Sequence, residues 1–509
     1  MAIPFVKLPL LLPLHHPRYP LLPLHPSSSS PFPLPPKPHL LRKPNHLHPS
    51  KANTKDNSYL TSLLSDLQDN AAEEFETRFG PPPPQERLPS RWPEIHGSKN
   101  WSGLLDPIDP LLRSELLRYG DLTAAVNEAF DSHPYSRYCG SCKYPMDSFF
   151  FDLGKDSCGY QISSYIYATS NIEIPDFIFR SHAEKTWSEK ANYIGYVAIS
   201  SDATTALIGR RDIIIAWRGT VTNIEWVSDF MDILRPVSSV GIPCPDPDVK
   251  VETGFIDLYT DKDTSCQFCK SSAREQVLAE VRKLIDLYAV KNGEEVSISV
   301  IGHSLGSALA VLSAYDIAET GMNGGKNVCV FSFGGPRVGN RKFKNRFEGL
   351  GVKALRVVNI HDRVPKVPGL FINENVPKFL QWLTDGLPWS YYHVGVELEL
   401  DHKNSPLLKE TSDKGCYHNL EAHLHLLDGY HGKGQNFEPA TRRDPALVNK
   451  HCDFLKDCLL IPPNWWQDLN KGLVKKHGRW IQPVRPKIDE PKIDKHPSDT
   501  QHHLTKVGF

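Results

Sequence analysis

One short corner of the chain combines a nucleophilic side chain with two flanking glycines. Residues 302–306 read Gly-His-Ser-Leu-Gly, which fits G-x-S-x-G, and they stand between the strand-like run "EVSISVI" and the helix-like run "SALAVLSAYDIAE". A strand-to-helix corner this tight leaves room only for glycine two residues before and two residues after the serine. It holds the hydroxyl at the N-terminus of a helix, where unpaired N–H groups stabilise a developing negative charge. Ser304 is therefore predicted to be a nucleophile, and the alternative is an ordinary serine in a glycine-rich turn.

A serine hydroxyl becomes nucleophilic at neutral pH only beside a base, and that base needs an orienting carboxylate. In enzymes built on this corner, the carboxylate follows the serine along the chain and precedes the histidine. Asp362 comes soon after the strand-like run "ALRVVN", which places it at the same edge of a parallel sheet as Ser304. We predict Asp362 as the orienting carboxylate. Asp385 and Asp401 are alternatives in less regular sequence, and a solvated turn aspartate is the simpler interpretation of Asp362.

The base is harder to identify, because histidines are frequent in the second half of the chain. The candidates are His393, His402, His418, His423, His425 and His431. A general base should stand on a loop or in the first turn of a helix, from which it can reach the serine. His418 precedes the amphipathic run "NLEAHLHLLDGY" and meets that condition, so it is preferred. His423 lies inside the same helical run and is the second choice.

The tetrahedral anion of an acyl transfer needs a second N–H donor besides the one that follows the serine. The strand-like run "IIIAWRGT" ends in a loop, so Thr220 is predicted to join Leu305 as an oxyanion donor. The segment after it, "VTNIEWVSDFMDI", places Ile224 and Trp226 at helical spacing. We interpret this segment as a lid that opens against lipid, and a packed surface helix is the alternative.

The elements that must position these residues alternate between strand-like and helix-like patterns. "ANYIGYVAIS" and "TTALIGRRDIIIAWRGT" predict strands, and "DPLLRSELLRYGDLTAAVNEAF" predicts two short helices. Ser272 and Glu275 form a capping box at the start of a further helix, and a short helical run lies near 343–347. Near-continuous apolar strands that alternate with helices predict an α/β fold with a mostly parallel sheet and helices on both faces.

The two ends differ in composition from the body, which is predicted to be one domain over residues 99–475. Residues 1–55 are rich in Ser and Pro and carry Lys and Arg but no Asp or Glu, which is typical of an organelle transit peptide. That composition favours a plastid, and a disordered proline-rich arm is the alternative. Residues 56–98 are predicted to be a linker with one helical stretch and a proline run, and residues 476–509 a disordered polar tail.

Composition excludes several classes of function. A formal net charge of −1 gives no basis for binding nucleic acid or for electrostatic attraction to an anionic membrane. No run of apolar residues is long enough for a transmembrane helix. The pairs Cys139/Cys142 and Cys266/Cys269 have Cys-x-x-Cys spacing, but they lie far apart in the chain, so reduced loop thiols are a simpler interpretation than a zinc site.

Six blocks occur in order over about residues 100–470. They are "AWRGT…EW", "VETGFIDLY", "GHSLGSALA", "FSFGGPRVGN", "VVNIHDRVP" and "HNLEAHLHLLDGYHG". With these blocks the chain resembles the class 3 lipases, the fungal triacylglycerol-lipase family, and within them the chloroplast-type phospholipase A1 proteins of plants.

The resemblance implies an α/β-hydrolase fold and release of the sn-1 fatty acid from phosphatidylcholine, galactolipids and triacylglycerol at a membrane or lipid-droplet surface. It implies a triad of Ser304, Asp362 and a histidine of the last block, with no metal and no organic cofactor. It also implies a chloroplast location, on a membrane or on plastoglobules. The fungal Ala-His-Leu string can be laid onto residues 422–424, whereas the plant-type block keeps His418, so both registers stay open.

Two other classes of function compete with this interpretation. A non-catalytic lipase-like scaffold would keep the fold for signalling complexes, but it has no physical need to hold a serine on a strained corner. A soluble carboxylesterase would use the same chemistry on small esters. It would gain no activity at a lipid surface, whereas an enzyme with an apolar lid would.

Overall fold

The central element of the structure is a seven-stranded sheet. The computed structural model describes residues 88–171, 177–182, 186–220, 233–369, 390–411, 413–441, 443–466, 474–476 and 479–481. The strands are β1 (Tyr160–Thr169), β2 (Ala191–Ser200), β3 (Arg211–Trp217), β4 (Leu234–Pro236), β5 (Lys250–Glu252), β6 (Val296–His303), β7 (Asn327–Phe333), β8 (Lys353–Asn359), β9 (Val396–Leu400), β10 (Val474–Lys476) and β11 (Arg479–Ile481). In the large sheet they run in the order β1-β2-β3-β6-β7-β8-β9, while β4 pairs with β5 and β10 with β11.

Helices lie between these strands along the chain. They are α1 (Leu88–Ile95), α2 (Pro110–Glu128), α3 (Phe149–Asp152), α4 (Asp202–Ile208), α5 (Thr253–Thr260), α6 (Ala273–Leu284), α7 (Leu305–Glu319), α8 (Arg341–Gly349), α9 (Lys414–Tyr417) and α10 (Leu420–Gly429). Short 3-10 turns occupy Asp156–Cys158, Val237–Val240, Val364–Lys366, His402–Asn404, Pro445–Lys450 and Asp457–Leu459, and π-helical turns continue α6 over Ile285–Lys291. The predicted capping box of Ser272 and Glu275 is confirmed at the start of α6.

The prediction of a mostly parallel sheet with helices on both faces is confirmed. Strands β3, β6, β7, β8 and β9 are mutually parallel, while β1 and β2 extend the sheet in antiparallel fashion. Successive residues of β3 point to opposite faces, so Ile213 and Ile215 join one hydrophobic cluster and Ile214 joins the other. Helices α2 and α10 cover the face of Ile214, and α6 and α7 cover the other.

Two predicted elements differ from the observed ones. The run "TTALIGRRDIIIAWRGT" is not one strand: Ser201 caps the short helix α4, and Gly209 ends it at φ 75°, so β3 begins only at Arg211. The run predicted to be two helices is the single helix α2. A Cβ at Gly120 would lie 2.1 Å from Leu424 Cδ2, so this glycine within the helix lets α10 pack closely.

The predicted boundaries of the folded body also need correction. Helix α1 lies within the predicted linker 56–98, yet Trp92 and Ile95 are buried in the body, which therefore begins no later than Leu88. Strand β11 lies within the predicted tail 476–509 and pairs with β10. Residues 1–55 lie outside the described residues, as do most of the linker and most of the tail.

Candidate active site

Ser304 occupies the corner between β6 and α7. Its backbone adopts φ 59° and ψ −130°, a conformation that side-chain-bearing residues rarely take and that is found at functional corners. A Cβ at Gly302 would lie 2.3 Å from the carbonyl carbon and oxygen of Gly306, which is why position 302 needs glycine. The corner is fixed to the neighbouring strand, because the N–H of Ser304 donates to the Phe333 carbonyl over 3.1 Å. The hydroxyl thus stands at the carboxyl end of a central strand.

Asp362 and His418 form a short, directed contact beside this corner. His418 Nδ1 lies 2.7 Å from Asp362 Oδ2, and both side chains are buried. The other carboxylate oxygen, Oδ1, accepts the N–H of Val364 over 2.9 Å, which fixes the plane of the carboxylate. Because the carboxylate accepts the Nδ1 proton, Nε2 of a neutral His418 carries the free lone pair. A histidine in this tautomer can accept a proton.

The chain positions the two partners through nonlocal packing. Asp362 follows β8, and His418 lies at the junction of α9 and α10, where Asn419 caps α10. Gly334 makes their approach possible, because a Cβ there would lie 3.0 Å from Asp362 Oδ2 and 3.2 Å from His418 Nδ1. Among the described residues, Ser304 Oγ and His418 Nε2 are buried without a hydrogen-bond partner. Unpaired buried groups of this kind are uncommon and suit a site that a substrate completes.

His303, which lies between Gly302 and Ser304, supports His418. The ring centroids of His303 and His418 are 4.5 Å apart, and His303 Nε2 donates to the His418 carbonyl over 2.7 Å. Burial, with a further contribution from His418, holds the pKa of His303 well below its usual range. His303 is therefore a neutral support for the loop that carries His418. The sequence shows His303 only as the variable position of G-x-S-x-G and gives no signal for this contact.

His423 also approaches the carboxylate, but less closely. Its Nε2 lies 3.8 Å from Asp362 Oδ2, and its Nδ1 lies 2.9 Å from the Asn419 carbonyl of its own helix. Burial lowers the pKa of His423, so it packs as a neutral side chain within α10. The structure thus brings both sequence candidates to Asp362, with His418 at hydrogen-bond distance and His423 beyond it.

The remaining candidates contact other groups. His425 Nε2 lies 2.8 Å from Ser405 Oγ, and burial lowers the pKa of His425 to about 4. His431 Nε2 lies 2.7 Å from the Glu438 carbonyl. His393 Nε2 lies 2.6 Å from the Pro365 carbonyl. The alternative carboxylate Asp401 pairs with His361, and Asp385 lies outside the described residues.

The loop after β3 lies directly against the serine corner. A Cβ at Gly219 would lie 2.8 Å from the His303 carbonyl oxygen and 3.5 Å from Ser304 Cβ. A Cβ at Gly306 would lie 2.4 Å from the Trp217 carbonyl oxygen, so the backbones of the two segments touch. Thr220 is the next residue of this loop. Its N–H and that of Leu305 therefore belong to segments that meet at Ser304.

Arg218, which no sequence pattern indicated as a site residue, holds this loop in place. Its guanidinium is fully buried and donates to three carbonyls, those of Tyr193, Phe177 and Gly219. It lies 3.8 Å from the Phe130 ring centroid and 4.0 Å from that of Phe177. Burial lowers the pKa of Arg218 to about 9, which leaves it cationic at neutral pH.

Arg218 is a buried cation beside this loop. Within the described part of the chain, no carboxylate forms an ion pair with Arg218. The positive charge one residue before Gly219 therefore favours negative charge at the corner. In the sequence, the signal for this role is an arginine placed between an apolar strand-like run and a Gly-Thr turn.

The predicted lid, the cysteine pairs and the hydropathy of the helices add less to the description of the site. The predicted lid residues Ile224 and Trp226 lie outside the described residues. Cys139 and Cys142 are buried, and burial raises the pKa of each thiol to about 12. A hydrogen bond from Cys269 lowers the pKa of Cys266. Among the helices that the structure describes, none has the length and hydropathy needed to cross a bilayer.

The chain matches one family model and is similar to several known proteins. The family described as lipase (class 3) matches residues 214–372, a range that includes Ser304 and Asp362. Phospholipase A1-Igamma1, chloroplastic, from Arabidopsis thaliana is 56% identical over 86% of this chain and 85% of its own length. Galactolipase DONGLE, chloroplastic, from the same plant is 44% identical over 66% of this chain and 69% of its own length. Among solved structures, lipase II from Rhizopus niveus matches 64% of this chain and 98% of its own, at 19% identity and a TM-score of 0.36.

Proposed function

This chain belongs to the class 3 lipase family, and we propose that it hydrolyses the sn-1 acyl ester of plastid glycerolipids through Ser304, His418 and Asp362. The contact of 2.7 Å between His418 Nδ1 and Asp362 Oδ2, beside the strained serine, is the observation that carries the proposal. The reaction class is ester hydrolysis by a serine nucleophile.

In the first step, Ser304 Oγ attacks the ester carbonyl carbon while His418 Nε2 takes the hydroxyl proton. Asp362 stabilises the imidazolium that forms, and the carbonyl oxygen becomes an anion. The N–H groups of Leu305 and Thr220 hold this anion, and the cation of Arg218 supports them from behind the loop. The ester bond then breaks, and the lysolipid leaves with the proton from His418.

In the second step, water replaces the lysolipid. His418 removes a proton from the water as its oxygen attacks the acyl carbon, and a second tetrahedral anion forms in the same place. The acyl carbon then separates from Ser304 Oγ, which recovers its proton from His418. The product is a free fatty acid, and the enzyme returns to its starting state.

The substrate class rests on the relatives. Their names state phospholipase A1 activity in one case and galactolipase activity in another, and both are chloroplastic. We therefore propose phosphatidylcholine and galactolipids as substrates, with triacylglycerol as a further one, at a membrane or lipid-droplet surface in the chloroplast. The acid-free composition of residues 1–55 supports the same compartment. If these residues, fused to a fluorescent protein, left it in the cytosol, this address would be wrong.

The decisive assay is positional. The full chain is incubated with phosphatidylcholine and galactolipid vesicles whose sn-1 and sn-2 acyl chains differ, and the released acid is identified. We expect the sn-1 acid from the native chain and no acid from Ser304→Ala, which should fold normally because Ser304 Oγ makes no hydrogen bond within the described structure.

The same assay separates the competing functions. Release of the sn-2 acid would contradict the positional assignment. No release, together with no labelling of Ser304 by a serine-directed phosphonate, would favour a non-catalytic scaffold. Cleavage of small soluble esters without any gain on vesicles would favour a carboxylesterase.

A further inference from the structure

We propose that His361, Asp401 and His402 bind a divalent transition-metal ion, zinc in preference to magnesium or calcium, behind the Asp362–His418 pair. Two imidazoles and one carboxylate form a donor set that suits zinc, with water as a fourth ligand, whereas the harder cations prefer oxygen ligands alone. This site is separate from the ester chemistry, and none of the hydrolytic steps needs the metal.

The topology of the sheet brings the three residues together. Strands β8 and β9 are parallel neighbours in which Asn359 pairs with Leu400. The N–H of Ile360 donates to the Leu400 carbonyl over 3.0 Å, which extends the pairing beyond the strand ends. His361 follows the end of β8, and Asp401 and His402 follow the end of β9. Their side chains therefore meet at the carboxyl edge of the sheet, the edge that also carries Ser304.

The geometry of the cluster is close to that of a metal site. The ligand atoms of the three side chains lie within 4.8 Å of one another, and His361 Nε2 is 3.1 Å from Asp401 Oδ1. Around a tetrahedral zinc ion with bonds of about 2.1 Å, ligand atoms lie about 3.4 Å apart. Binding of the ion therefore requires the more distant ligand atoms to move towards one another.

Polar atoms that the described structure leaves unused support a ligand here. His402 is 3% exposed, and its Nδ1 has no hydrogen-bond partner among the described residues. A buried ring nitrogen without a partner costs free energy unless a proton donor or a cation completes it. Asp401 Oδ1 accepts from His361 and from the N–H of Lys403, while nothing in the described part of the chain donates to Oδ2.

The cluster combines a rigid ligand with an open approach. The ring of His402 stacks on Tyr417 at 4.6 Å between centroids and 27° between planes. His361 and Asp401 have side chains that are 31% and 29% exposed, so an ion can reach them from solvent. When it binds, the bond between His361 Nε2 and Asp401 is replaced by metal–ligand bonds. His361 then offers one deprotonated nitrogen to the ion.

An ion in this place would connect the loops that hold the catalytic pair. His361 is the residue before Asp362, and Tyr417, the stacking partner of His402, is the residue before His418. Zinc bound to the folded chain should therefore raise its thermal midpoint, as any ligand of the native state does. That gain should disappear when a ligand is removed.

The test is a binding measurement on the metal-stripped full chain. Zinc chloride is titrated by calorimetry and by equilibrium dialysis against the native chain, His361→Gln, Asp401→Asn and, as a matched control, His133→Gln, an exposed histidine outside the cluster. We expect the native chain and the control each to bind one more zinc ion per chain than either cluster variant. Loss of a direct ligand should weaken this site at least about 100-fold, since even indirect supports of a ligand are worth 10–100-fold.

Cobalt substitution identifies the ligands. The additional cobalt ion should show the visible bands of nitrogen and oxygen ligation and no thiolate charge-transfer band, because the site contains no cysteine. Equal zinc stoichiometry and affinity in all four proteins would overturn the proposal, as would thiolate bands for every bound cobalt ion. Thermal unfolding of each metal-free variant, compared with that of the metal-free native chain, checks that the variants fold. If Asp401→Asn does not fold, His361→Gln decides. Because the readout is binding, its failure is independent of the hydrolytic assignment.

Discussion

Replacing Asp362 by asparagine should remove most of the activity without unfolding the chain. Asparagine has nearly the same shape, so its carbonyl oxygen can still accept the N–H of Val364 that Oδ1 accepts now. Its amide group would then face His418 Nδ1, which lies 2.7 Å from Oδ2. An amide donates where the carboxylate accepts, so it favours the tautomer with the proton on Nε2. His418 could then no longer take a proton from Ser304.

The expected magnitude follows from this change of tautomer. Loss of the orienting carboxylate in a serine triad lowers kcat by about 10⁴-fold, and at 1.36 kcal/mol per decade this corresponds to about 5 kcal/mol of barrier. The assay measures kcat and KM on phosphatidylcholine vesicles, with circular dichroism to confirm folding. Asp457→Asn, on a side chain that is 93% exposed, is the matched control and should keep the native rate. If Asp362→Asn kept kcat within about tenfold of native while folded, the carboxylate assignment would be refuted.

Three further outcomes test the same structure. His418→Gln should be nearly inactive, whereas His423→Gln should lower kcat less than about tenfold, because only His418 lies at hydrogen-bond distance from Asp362; the reverse ranking would show that the fungal register applies. Arg218→Met should fold less stably and lose about 10²-fold in kcat, with KM little changed. The substitution releases the loop after β3 that carries Thr220, and it removes the cation behind that loop. A change confined to KM would contradict that role. Burial alone would raise the pKa of Glu128, but Lys450 lowers it to about 2. The pair should therefore stabilise the fold above pH about 4.5 and lose that contribution as the pH falls towards 2. Acid unfolding of Glu128→Gln, followed by circular dichroism, should lack this component.

Local sequence was sufficient for the elements whose cause is local. The capping box of Ser272, the strand-like runs "ANYIGYVAIS", "EVSISVI" and "ALRVVN" and the G-x-S-x-G corner each depend on neighbours a few residues away, and each was predicted correctly as structure. One prediction failed for a local reason, because the Ser201 cap and Gly209 make a helix in a run predicted to be strand. The others failed where distant packing decided. The run predicted to be two helices is one, in which Gly120 lets Leu424 of α10 approach closely. Trp92 was placed in a linker because its burial depends on partners far along the chain.

The candidate site divides in the same way. The sequence by itself predicted a nucleophilic serine on a tight corner and the chain order of acid and base after it, because chain order and glycine spacing are local properties. It left the choice of histidine open, since His418 and His423 share one amphipathic block. Only the tertiary structure decided which ring meets Asp362, what Arg218 holds, and that His361 meets Asp401. Those contacts join segments that follow different strands, and their distances are set by how strands and helices pack, which no local pattern contains.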